Sequence, residues 1–143
     1  MTADALLRTA GLRRTPARLA ALDALHAAGR PLRHAELRAA PGLAGVDEIT
    51  VYRTLSTLEE KGLLHRVLGL DGAWRYGRND PAAPGCPGNH AHFLCEACGQ
   101  MACLPDQPLP RVSPPPGGEV RARSFVAVGR CGPCAAGKGS AAP

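Results

Sequence analysis

The sequence predicts an α+β protein in two parts: a helical N-terminal half closed by a β-hairpin, then a small α/β part held by metal. Three observations carry this. Residues 4–61 contain short runs with apolar residues at helical spacing, broken at Gly11, Gly29, Pro41 and Gly62. Two short strand-like stretches then flank a Gly-bounded turn. Finally, Cys95-x2-Cys98 and Cys131-x2-Cys134 repeat the spacing of a four-thiolate zinc site, in which one tight turn aims two sulfurs at one tetrahedral ion.

The totals agree. The chain has 143 residues, only 3% of them aromatic, with 17 Gly and 14 Pro, so neither part builds a large core and a metal staple fits. The formal charge of +5 is uneven: residues 1–78 carry twelve Arg/Lys against eight Asp/Glu, the remainder five against four. A basic N-terminal half points to nucleic acid rather than to an acidic small molecule; no small-molecule substrate is expected. Asp4, Arg8, Arg13 and Arg14 interrupt the N-terminus, which lacks a secretory apolar core, and no apolar run is long enough for a membrane. A cytoplasmic protein is expected, where six cysteines are read as metal ligands before disulfides.

In chain order, residues 4–10 suit a short helix stopped by Gly11. Thr15-Pro16 starts the next helix with a capping hydroxyl and a proline at the first position, and Leu19, Leu22 and Leu25 follow at helical spacing until Gly29. Residues 33–40 form a shorter helix ended by Pro41. Asp47 caps a further helix running to Lys61 and Gly62. Val51, Leu55 and Leu58 share its apolar face, and Thr50, Arg53, Thr54 and Thr57 are read as sharing the opposite one. An apolar back and a Thr/Arg front after a short helix and turn is the look of a recognition helix. Residues 63–67 and 74–76 read as strands around the turn Gly69-Leu-Asp-Gly72, completing a winged helix-turn-helix.

Asn79-Asp80-Pro81-Ala-Ala-Pro84-Gly85 reads as a hinge. The expected division is residues 1–79, a hinge at 80–86, a second domain at 87–134 and a disordered tail at 135–143. Phe93-Leu94 and Phe125 to Val128 are short apolar stretches, each running into a Cys pair. Residues 105–118 contain six prolines and read as loop or polyproline. Cys95, Cys98, Cys131 and Cys134 fill one tetrahedron and leave Cys86, His90 and His92 over. His90 and His92, two apart, fall on one face of an extended segment, which suggests a second metal site. His26 and His34 are read as surface residues.

Arg14-Thr15-Pro16-Ala-Arg18, Ile49-Thr-Val-Tyr-Arg-Thr-Leu55, His90-x-His92-x2-Cys95-x2-Cys98-Gly99 and Gly129-x-Cys131-x2-Cys134 resemble the ferric-uptake-regulator family of metalloregulators, over residues 5–134. Among its branches the chain looks most like the zinc-uptake regulators. The resemblance implies a homodimer with an N-terminal domain that binds palindromic double-stranded operator DNA and a C-terminal metal-binding dimerisation domain. Zinc would act as corepressor of zinc-uptake genes. It implies structural zinc at Cys95, Cys98, Cys131 and Cys134, and a regulatory zinc at His65, Cys86, His90 and His92. For DNA contacts the recognition-helix reading points to Tyr52 and Arg53 beside Thr50, Thr54 and Thr57, with Arg13, Arg14 and Arg18 nearer the phosphates. A Cys with imidazoles suits zinc, where an iron or manganese sensor would want more carboxylate. An iron- or peroxide-responsive relative is the alternative, and a thiol redox protein a distant third.

The chain also departs from that pattern. Positions that carry further metal ligands in many relatives hold Asn89, Ala91 and Arg123, so an additional metal site is not expected. An acidic regulatory ligand falls on Cys103, a possible extra ligand. The usual dimerisation helix gives way to the proline-rich segment 105–118.

Overall fold

The computed structural model describes residues 1–79, 90–121 and 123–138. The N-terminal half holds four helices. Helix α1 spans Ala3–Thr9, with Thr2 accepting a hydrogen bond from the Ala5 amide. Helix α2 spans Pro16–Ala28; Thr15 Oγ1 accepts from the Arg18 amide, and Gly29 closes it at a left-handed φ of 61°. The expected helix at 33–40 is shorter. Leu32–Arg33 forms a two-residue strand, β1, before α3 at His34–Arg38. Helix α4 spans Glu48–Glu60, capped by Asp47 through the Thr50 amide and hydroxyl.

Strands β2 (Leu64–Leu68) and β3 (Trp74–Arg78) form the hairpin, and β1 adds to the far edge of β3, giving an antiparallel sheet of order β1-β3-β2. The third strand escaped the sequence because two residues carry no readable alternation. Leu6, Leu7, Leu22, Leu25, Leu37, Leu43, Val51, Leu55, Leu58, Leu64 and Tyr76 close one core. Burying each such leucine stabilises the fold by about 1.5–3 kcal/mol.

The second sheet has the order β5-β4-β6. Strand β4 is His90–Cys95, β5 is Met101–Pro108 and antiparallel to it, and β6 is Val126–Gly129 and parallel to it. Strand β5 corrects the reading of 105–118 as loop from its start, since it passes through Pro105 and ends at Pro108. It is an edge strand, where a missing amide is tolerated, and the register shift between His90 and Ala91 absorbs residues 105–107. No helix lies between β5 and β6 among the described residues. A four-residue helix, α5, follows at Gly132–Ala135. Residues 80–89, with Cys86 and nearly all of the expected hinge, and 139–143 of the expected tail lie outside the described residues.

Asn79, read as the start of the hinge, instead closes the first sheet: it is buried, and its amide donates to the Leu63 carbonyl at 2.8 Å. Contacts between the two sheets include an apolar one and a polar one. Val67 of β2 packs with Leu94 and Met101. Arg75 of β3, 1% exposed, bonds Asp71 through both guanidinium nitrogens (2.9 and 2.7 Å) and reaches the Gly99 carbonyl at 2.9 Å.

Candidate functional site

The two Cys pairs are brought together because β4 and β6 lie parallel and end side by side. Cys95 closes β4 and pairs with Gly129; the Glu96 amide donates to the Gly129 carbonyl at 2.8 Å, so the turn of each pair opens toward the other. Gly99 makes the first turn at φ 75°. The four Sγ atoms all lie within 4.8 Å of one another, and Cys98 and Cys131 are 3.9 Å apart. A zinc ion with Zn–S of ~2.3 Å sets a tetrahedral edge of about 3.8 Å, so the arrangement fits that metal. The amides of Cys131 and Cys98 donate to Cys95 Sγ, at 3.3 and 3.5 Å, and draw its thiol down to about 6. The Cys131 sulfur and burial push Cys134 up to about 12. Four crowded thiols do not ionise together without a cation to hold them.

The second cluster is built from three strands. Cys103 on β5 is the cross-strand partner of His92 on β4, so both point to one face. His65 on β2 reaches the same place from the first sheet. One ligand atom from each of His65, His92 and Cys103 lies within 4.8 Å of the others. His90 stands beside them, its ring centroid 4.6 Å from that of His92 and 6.0 Å from that of His65, but it is not within that trio. His65, His90 and His92 are all buried. Among the described residues His92 Nε2 has no hydrogen-bond partner, an orphaned buried nitrogen whose lone pair a metal would satisfy. Burial first, then the neighbouring His90 and His65, lowers the His92 imidazole to about 4. It is therefore neutral at physiological pH, the form that binds metal. Two imidazoles and a thiol make a donor set suited to zinc.

His65 has a built seat. Its Nδ1 lies 2.6 Å from Asn79 Oδ1, and Asn79 Nδ2 donates to the Gly62 carbonyl at 3.0 Å. Under the ring is Gly77, its cross-strand partner, where any Cβ would sit 2.6 Å from His65 Nε2. Sequence reading assigned Asn79 to the hinge and passed over Gly77 and the Asp71–Arg75 pair. Only the last had a visible signal: an Arg on the inward position of a short strand, four residues after an Asp across a tight turn.

The N-terminal half presents a basic groove. Thr15, Pro16, Arg18, Gly42, Thr50, Arg53, Thr54 and Thr57 line a cleft of about 510 Å³ between the start of α2 and helix α4. Arg53 is exposed and Thr50 and Thr57 half-exposed. Thr54 departs from the reading that put it on the solvent face: it is buried at 8%. Val51, Thr54, Leu55 and Leu58 are the positions i, i+3, i+4 and i+7 of one stripe, so Thr54 belongs to the packed face and forms the floor of the cleft. Tyr52 is exposed on another flank, stacked on His34 with centroids 4.1 Å apart. His34 is thus half-buried rather than a plain surface residue. Arg13 and Arg14 are exposed; Arg14 pairs with Asp4, and Arg18 donates to the Arg13 carbonyl at 2.7 Å.

Residues 9–114 match the ferric uptake regulator family. Among curated proteins no sequence matches the chain. Solved structures share its fold. A zinc uptake regulator complexed with zinc and DNA is 20% identical at a TM-score of 0.65, covering 95% of this chain and 92% of that one. A zinc-bound manganese uptake regulator is 19% identical at 0.64, covering 92% and 99%. The ferric uptake regulator of Vibrio cholerae is 20% identical at 0.60, covering 90% and 98%. No described helix is long and apolar enough to cross a membrane. The chain belongs to the ferric uptake regulator family of DNA-binding, metal-responsive transcription regulators, which are not enzymes.

Proposed function

We propose that this protein is a zinc-responsive repressor of zinc-uptake genes that binds a palindromic operator as a homodimer. The observation that carries the zinc reading is the cluster of His65, His92 and Cys103, two imidazoles and a thiol with no carboxylate. His90 and Cys86 complete the regulatory set, and Cys95, Cys98, Cys131 and Cys134 hold the structural ion. We further propose residues 1–79 as the DNA-binding domain, 80–86 as the hinge and 87–134 as the dimerisation domain.

What a bound ion supplies at the regulatory site is a set of coordinate bonds between strands of different sheets. The residues do the rest. His65 follows the recognition helix by a few residues, so its position reports directly on that helix. His92 and Cys103 lie on the second sheet and are held in register by the β4–β5 ladder. When all three are drawn to one point, the angle between sheets is set, and with it the separation of two α4 helices in a dimer reading half-sites about 34 Å apart. Metal favours that arrangement only by its greater affinity for it.

The test couples metal analysis to operator binding before and after a mild chelator. Expected is one retained zinc per chain, a second one removed, and operator affinity lost with it. Cys86→Ser and His92→Ala should keep the first zinc and the fold but lose the response. Operator binding that is indifferent to the chelator refutes the reading. Competitive titration with iron and manganese decides against the alternative effectors.

A further inference from the structure

We infer that Asn79 is the positioning residue of the regulatory site, holding His65 in the one tautomer that turns Nε2 toward the metal. This rests on the reading of His65 as a ligand. The protons follow from the hydrogen bonds. The Gly62 carbonyl only accepts, so the Asn79 atom facing it at 3.0 Å is the Nδ2 donor. The other amide atom, Oδ1, then faces His65 Nδ1 at 2.6 Å. A carbonyl oxygen takes a proton and does not give one, so Nδ1 carries the hydrogen. In a neutral imidazole that leaves the lone pair on Nε2.

Position follows as well as tautomer. Asn79 is 8% exposed, and its own amide is fixed to the Leu63 carbonyl at 2.8 Å, so the side chain has little freedom. Gly77 leaves the space the ring occupies, since a Cβ there would meet His65 Cε1 at 2.4 Å and Nε2 at 2.6 Å. Metal-bound histidines are held in this manner by a partner on the other ring nitrogen, and loss of such a partner costs 10–100-fold in metal affinity. Here the partner has a further property. Gly62 follows the end of α4, so one amide side chain bonds both the end of the recognition helix and the metal-binding imidazole. The tie from ligand to helix is two hydrogen bonds long.

Long-range nitrogen–proton NMR correlation of His65, in protein retaining only its structural zinc, reads the tautomer directly. Expected in the unaltered chain is the Nδ1–H form; the Nε2–H form overturns the inference. Asn79→Ala should mix the tautomers and weaken regulatory zinc 10–100-fold, by chelator competition, with structural zinc unchanged at one per chain. Asn79→Asp keeps the acceptor for Nδ1–H but loses the donor to the Gly62 carbonyl, so it should restore the tautomer without restoring the full affinity. Asn79→Ala with unaltered tautomer and affinity refutes the positioning role. If Asn79→Ala does not fold, the tautomer of the unaltered chain decides. His65→Ala separates the two claims. If it abolishes the zinc response while Asn79→Ala does nothing, the positioning role falls and the regulatory reading stands. If His65→Ala leaves the response intact, the regulatory reading falls and takes the inference with it.

Discussion

The Asp71–Arg75 pair offers a prediction whose sign depends on which partner is removed. The Arg75 side chain is 1% exposed and that of Asp71 38%. In Asp71→Ala the guanidinium stays behind, buried, with only the carbonyls of Ala73 and Gly99 to face it. Breaking a buried pair in this direction costs about 3–5 kcal/mol, and the two remaining acceptors place the loss near the lower end, about 3 kcal/mol. In Arg75→Met the stranded group is the carboxylate, which water reaches and which still accepts from the Ala73 amide at 3.1 Å. What is lost there is chiefly the charge-assisted bond to Gly99, about 1.5 kcal/mol. Urea unfolding of zinc-loaded protein, with unchanged m-value as the check on two-state behaviour, compares the two. Asp71→Ala should be the more damaging by about 1–2 kcal/mol. The reverse order, or losses below about 0.5 kcal/mol in both, refutes the picture of a buried cation held by an exposed anion.

Other outcomes follow from the same geometry. Cys95→Ser or Cys134→Ser should unfold the second sheet, because structural zinc binding of on the order of 10 kcal/mol is folding energy; zinc content and circular dichroism measured together check this. Arg53→Ala should relax operator preference, while Arg18→Ala should weaken all sequences alike and lower the salt slope by about one, both read by binding titrations across salt. With regulatory metal removed, His92 near 4 binds fewer protons folded than unfolded at 6.5. Stability is therefore full above pH 6.5 and falls toward pH 4, by about 1 kcal/mol between pH 7.5 and 5.5; urea titrations should show this slope and show it flattened in His92→Gln.

What could be read from the sequence was whatever local chemistry dictates. Thr15 and Asp47 announce helix starts by their own side chains, and Gly11, Gly29 and Gly62 announce the ends, so α1, α2 and α4 sit within a residue or two of expectation. The Cys-x2-Cys turns are local too, and one ion needs all four sulfurs, so the pattern names its own partner. Long-range register was not legible. That Cys103 stands opposite His92 depends on the β4–β5 pairing, and the pairing depends on a shift that removes residues 105–107 from the ladder. Thr54 was misread for a different reason: a threonine looks polar in sequence, yet it stands at i+3 of the stripe Val51, Thr54, Leu55 and Leu58 and is buried with it. Asn79 beside Asp80-Pro81 has every mark of a turn, and only the carbonyl of Gly62 and the ring of His65 reveal its work.

The Val67 and Arg75 contacts between the sheets also bear on what metal has to do. Arg75 joins the tip of the β2–β3 hairpin to the carbonyl of Gly99, one residue beyond Cys98 of the four-cysteine cluster. Both contacts lie toward one end of the strand pair, Val67 being opposite Arg75, and on their own they leave the hairpin able to pivot there. His65 lies at the other end of the same strand pair, opposite Gly77, whereas Arg75 is opposite Val67. Drawing His65 to His92 and Cys103 adds a second point of attachment along the hairpin, and two points remove the pivot that one allows. On the proposed reading a structural ion would hold the first point and a regulatory ion would govern the second, so that a change in occupancy at His65 would become a change in the direction of α4. The hairpin needs no large motion for this, because helix and ligand are joined through Asn79 by side-chain bonds rather than by a flexible loop.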